Sequence, residues 1–161
     1  MLNNKVMRKI IFIALISVFT QTALAQEVYK EVLRLSKNVM NDKKKDLSTR
    51  KIAMFKVDVL NYMAEKASEV MPDSSVLVLD EQAYALYDYI NYYLHCLKNA
   101  KRQKERTHIM ELFKMAAAHN PLFHDPDTKL VTSYYNDRFI TQFSMDTNWI
   151  KAKEEVRTFF K

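Results

Sequence analysis

The chain has 161 residues, a formal charge of +6 from 25 Lys and Arg against 19 Asp and Glu, one cysteine, three prolines and no glycine. Average usage near 7% would give about eleven glycines, so phosphate-cradling loops, dinucleotide turns and the nucleophile elbow, which need glycine at close approaches or positive φ, are excluded. Tight two-residue hairpins favour glycine as well, which argues against an extensive β-meander and for an all-α chain.

Residues 1–25 read as a cleaved secretory signal. Lys5, Arg8 and Lys9 form a basic head, Ile10 to Phe19 an apolar run, and Ala23-Leu24-Ala25 a small-residue cleavage site before Gln26. Met7 offers a second translation start with the same leader. The apolar run falls short of the roughly 20 residues of a membrane span, and no cysteine follows the cleavage site to carry a lipid. The expectation is an exported protein, periplasmic or secreted, with one domain over residues 26–161 and no transmembrane segment in it. Without the leader, 22 Lys and Arg face 19 Asp and Glu, a net +3, so bulk charge gives no case for nucleic acid. One cysteine makes no internal disulfide, and stability rests on packing.

Val28, Val32, Leu35 and Val39 step by four, three and four, giving a first helix over about 27–41. Lys43-Lys44-Lys45-Asp46 is a solvated turn. Ser48 is a cap for a second helix with Ile52, Phe55, Val59, Tyr62 or Met63 and Val70 on one stripe, stopped by Met71-Pro72. Val76 to Leu79 is an apolar connection to a third helix, capped by Asp80 and running to about Asn99. A fourth, from about Arg102 to His119, presents Ile109, Leu112, Phe113 and Ala116 and ends at Asn120-Pro121. Leu130, Val131, Tyr134 and Tyr135 suggest a short fifth helix, with Phe139 to Phe143 helical or extended. Asp146 is the cap of a last helix carrying Trp149, Ile150, Val156 and Phe159. No second copy of any unit appears, so the reading is a single helical bundle of five or six helices.

Five of the nine tyrosines fall within "YALYDYINYYLHC", residues 84–96. At 100° per residue, Ala83, Leu86, Ile90, Tyr93 and Leu97 centre one face, with Tyr89 and Cys96 on one flank and Tyr87 and Leu94 on the other. So wide an apolar arc marks the central helix of the bundle. Tyr84 points outward and Tyr92 lies at the boundary; the functional alternative is that these two form a stacking surface for a glycan or small molecule. Cys96 reads as a buried small residue.

In an up-and-down bundle the first and third connections share an end, which gathers the two most basic stretches. One holds Lys43, Lys44, Lys45, Arg50 and Lys51, the other Lys98, Lys101, Arg102, Lys104 and Arg106, with Asp46 and Glu105 as the acids among them. Such a pole suits an anionic envelope surface, and the bland alternative is ordinary solvated turns. Neither stretch interleaves aromatics, so single-stranded nucleic acid is not expected. The opposite pole carries His119, His124, Asp125 and Asp127, candidate metal ligands at a spacing that matches no defined zinc motif. Its bland reading is a capped turn.

The Ala25-Gln26 junction, with "TRKIAMFKVDVLNYM", "MPDSSVLVLDEQAYALYDYIN" and "QFSMDTNWIKAKEEV", resembles small exported helical proteins of Bacteroides-type bacteria, a family of domains of unknown function. The resemblance implies export and a helical fold over nearly the whole mature chain. It carries over no catalytic residue and no cofactor. The leading expectation is a non-enzymatic domain that acts by contact with a protein partner or an anionic envelope surface. A metal-dependent enzyme or metal-binding protein using the His119 to Asp127 loop is the alternative from a different class.

Overall fold

The computed structural model of the chain describes residues 27–73, 75–127 and 143–160. The leader at 1–25, the short helix expected around Leu130 to Tyr135 and the stretch from Phe139 up to residue 142 lie outside the described residues. Five helices are described: α1 (Glu27–Asn41), α2 (Leu47–Val70), α3 (Ser75–Asn99), α4 (Gln103–His119) and α5 (Trp149–Phe159). There is no strand among the described residues, so the chain is an all-α bundle.

α3 is the hub. It packs closely against α1, α2, α4 and α5, while the pair α1 and α2 and the pair α4 and α5 meet each other, among the described residues, only through side chains such as Phe55 and Trp149. Its buried face is the one that periodicity sets out: Ala83, Leu86, Ile90, Tyr93 and Leu97 are all at most 5% exposed, and Tyr89 is fully buried beside them. The space that α2, α4 and α5 leave around α3 is filled by rings. Phe143, entering from outside the helices, sits 6.0 Å from Phe55, 5.7 Å from Tyr89 and 5.1 Å from Tyr93. Trp149 packs edge-on against Tyr89 and Phe55. These tilted and edge-to-face pairs are the geometry that ring quadrupoles favour.

Three local expectations are corrected. α1 turns so that Tyr29, Leu33 and Ser36 accompany Val32 inward, leaving Val28 and Leu35 39% and 45% exposed. Long-range bonds set that rotation, because the Tyr29 amide donates to Asp80 Oδ1 at 2.8 Å and its hydroxyl reaches the Leu60 carbonyl at 3.5 Å. Asp80 therefore caps α1 rather than α3. No proline or glycine interrupts residues 75–80, so α3 continues back to Ser75 and takes Val76 to Leu79 into its first turn.

Caps elsewhere are displaced in the same manner. α2 is capped by Asp46, not Ser48, with Oδ1 accepting the Thr49 amide at 2.9 Å and Oδ2 the Thr49 hydroxyl at 2.7 Å. Those bonds hold the Asp46 carboxyl below its ordinary range. α5 is capped by Asn148, whose side chain accepts from the Lys151 amide. Gln82 of α3, buried, fixes that helix start by donating to Asn148 Oδ1 and accepting the Trp149 amide. Pro72 and Pro121 end α2 and α4 as expected.

Candidate functional site

Val39 of α1, Thr49 of α2 and Leu94 of α3 line one cavity. The end of α1, the start of α2 and the last turns of α3 therefore share a pole, so both lysine-rich connections are at the same end of the bundle. Arg50 and Arg106 have structural employment at that pole. Arg50 Nε donates to the Met40 carbonyl at 3.0 Å and Arg106 donates to the Leu97 carbonyl at 2.7 Å, each satisfying an orphan acceptor at the C-terminal end of the preceding helix. Arg106 thus leaves the set of candidate surface-binding residues.

The remaining candidates are Lys43, Lys44, Lys45, Lys98, Lys101, Arg102 and Lys104, all exposed and none in an ion pair among the described residues. Three acids, Asp42, Asp46 and Glu105, lie among them and offset part of their charge, and each accepts a main-chain amide, Asp42 that of Lys44. Asp46 is engaged with Thr49, and Glu105 accepts the main-chain amide of Lys101 at 3.0 Å. Two of these cations, Arg102 and Lys104, also stand at the wrong end of a helix. Lys43 to Lys45 lie between the end of α1 and the start of α2, and Lys101 between α3 and α4, so they face helix ends of both signs, whereas Arg102 is the N-cap of α4 with no side-chain cap bond and Lys104 lies in its first turn. The partial positive charge of a helix N-terminus disfavours cations there by a few tenths of a kcal/mol each. Lys98, in the last turn of α3, is placed where the dipole welcomes it. Leu47, 63% exposed, projects beside Lys43 to Lys45 as an apolar residue in the basic cluster.

The cavity under this pole holds a residue that the stripe reading passed over. Lys56 of α2 is 9% exposed, and its ammonium lies 4.7 Å from the centre of the Tyr87 ring. Burial pulls its pKa down to about 8. The signal was present in the sequence: Ala53, Lys56, Leu60, Met63 and Ala67 recur at the three-four spacing of a core seam, and all five are buried.

No protein-family model matches the chain, and neither does any curated protein or solved structure.

At the opposite pole the loop after α4 is built around Asp146, which is 3% exposed. Its Oδ1 accepts the Leu122 and Phe123 amides at 2.9 and 2.7 Å, and its Oδ2 accepts the Asp125 amide at 2.8 Å. Three main-chain N–H groups converging on one carboxylate form an anion nest filled by the chain itself. They also hold His124 at φ 56°, a left-handed conformation uncommon for a non-glycine residue. Asp146 is therefore a loop organiser, not the cap of α5. The expected metal ligands go different ways: His119 Nδ1 faces Glu155 at 3.5 Å, Asp125 accepts from the Tyr62 hydroxyl at 3.0 Å and faces Lys66 at 3.5 Å, and Asp127 donates its amide to Asp125. Among the described residues no group of three His, Cys, Asp or Glu is arranged to hold a metal ion.

Tyr84 and Tyr92 are not brought together as a platform. Tyr84 is 59% exposed with Lys153 Nζ 5.6 Å from its ring centre. Tyr92 is half-buried, with Phe113 at 5.7 Å and Phe160 at 6.0 Å. Cys96 is partly buried, and burial pushes its thiol pKa up, away from nucleophilic reactivity.

Proposed function

We propose that this is a non-enzymatic helical domain, exported to the periplasm or beyond, that works by contact with an anionic lipid surface of the envelope through its basic pole. The observation that carries the reading is the set of exposed cations without an ion pair among the described residues, two of them, Arg102 and Lys104, at the N-terminus of α4 against its dipole, on connections that Arg50 and Arg106 already secure. A fold that wanted only solvated turns has no reason to place Arg102 where a serine or aspartate would cap α4. Leu47 beside the lysines supplies an apolar contact for the interface region, as peripheral membrane proteins do. Export rests on the leader read at residues 1–25. No helix among the described residues is long and apolar enough to cross a membrane, so attachment by this pole is peripheral.

Sedimentation of the purified protein with phosphatidylglycerol-containing vesicles tests the reading. Each lysine or arginine near such a surface contributes about 1 kcal/mol, so Lys101→Glu with Arg102→Glu is expected to weaken binding by tenfold or more. Added salt weakens it further. Vesicle binding indifferent to both charge reversals overturns the proposal.

A further inference from the structure

The cavity between α1, α2 and α3 has a chemistry that the basic pole does not use. It encloses about 380 Å³, within the ~300–1,000 Å³ typical of small-molecule sites. Its walls are apolar, from Val32, Leu35, Val39, Ile52, Ala53 and Leu94, with Ser36, Thr49 and Asn91 supplying isolated polar groups. Leu35 and Tyr87, which also line it, stay 45% and 44% exposed, so the space communicates with solvent. One charged group lines it among the described residues, the ammonium of Lys56.

That ammonium meets no carboxylate and donates to no hydrogen-bond acceptor among the described residues; its company is the face of the Tyr87 ring. A largely desolvated cation without an anion is unfavourable unless a ligand supplies one. We propose that this cavity binds a monocarboxylate amphiphile of the fatty-acid class, its carboxylate on Lys56 Nζ and its acyl chain along the apolar walls. Each buried methylene favours the complex by the ordinary hydrophobic term, and the single charge matches the single cation. A phosphate dianion fits poorly, because the lining offers neither an arginine fork nor a second cation. The inference is separate from the surface reading: the pole meets a membrane, while the cavity takes one dissolved molecule.

Calorimetric titration and thermal unfolding of the purified protein with decanoate, decanol and acetate, without vesicles, decide it. Decanoate is expected to saturate, to raise the Tm and to bind at least tenfold more tightly than decanol, with acetate undetectable. In Lys56→Met, whose side chain follows the lysine stem, decanoate is expected to bind no more tightly than decanol. Equal affinity of the native protein for decanoate and decanol, no decanoate binding at millimolar concentration, or an undiminished preference in Lys56→Met overturns the proposal. The comparison on native protein decides alone if the variant fails to fold. Vesicle sedimentation of Lys56→Met stays native-like, which separates failure of this inference from failure of the surface reading.

Discussion

At the scale of single residues, Lys56 makes the sharpest statement about stability. Its pKa is 10.5 when unperturbed and about 8 in the fold, so between those values the unfolded chain holds a proton that the folded chain has released. Stability therefore rises with pH across that window, and below it the burial penalty, on the order of 3 kcal/mol, is fully present. Lys56→Met removes the penalty and also the ring contact with Tyr87, itself about 0.5–2 kcal/mol. The expected outcome in urea unfolding at pH 7 is a gain of about 1–2 kcal/mol, with the slope between pH 8 and 10.5 abolished. Arg102→Ser makes the complementary case: supplying a cap to α4 is expected to stabilise by about 1 kcal/mol while weakening vesicle binding. Lys56 was hard to read because the seam at residues 53, 56, 60, 63 and 67 competes with a second apolar row at 52, 55 and 59 on the same helix. Both rows are largely buried, and the lysine belongs to the one that the eye discards.

Helices were the most legible elements, since proline stops and apolar period are local signals. α1 is found over the expected residues, α4 begins one residue late, and the centre of the α3 arc matches, although Tyr87 on its flank is 44% exposed and Ala85, outside it, is buried. The misread caps share one cause. Asp80 and Asp146 each look like the acid that opens the next helix, yet each carboxylate serves amides far away in sequence, 51 residues away for Asp80 and 21 to 24 away for Asp146. Nothing in a single segment reports such a partner. Asp80→Ala is expected to cost about 0.5–2 kcal/mol, read by hydrogen exchange as fraying of the first turn of α1 with α3 unaffected. Asp146→Ala leaves three buried amides without their acceptor, and a loss of about 3 kcal/mol or more is expected, with proteolytic cleavage appearing first within residues 121–127. If α3 were not the hub, Leu86→Ala would cost no more than a surface change; the expected loss is about 2–5 kcal/mol.

For the molecule as a whole, gathering the basic connections at one end follows from antiparallel packing alone, and that much of the candidate site was legible from helix count and loop order. Which cations remain available was not, because the two arginines are indistinguishable from the lysines until their guanidinium groups are seen on Met40 and Leu97. The cavity was equally hidden, since it depends on the rotation of α1 that Asp80 and Tyr29 impose. The resulting account joins a polarised surface to a bundle whose other end is closed by its own carboxylate. Orientation on a membrane tests it most directly. An environment-sensitive fluorophore is placed at Leu47→Cys or at Val70→Cys, two exposed positions at opposite ends of α2, in a Cys96→Ala background. With anionic vesicles, the label at residue 47 is expected to shift to the blue and the label at residue 70 to stay unchanged. A shift at residue 70 in place of 47, or at neither, would contradict attachment through the lysine-rich end.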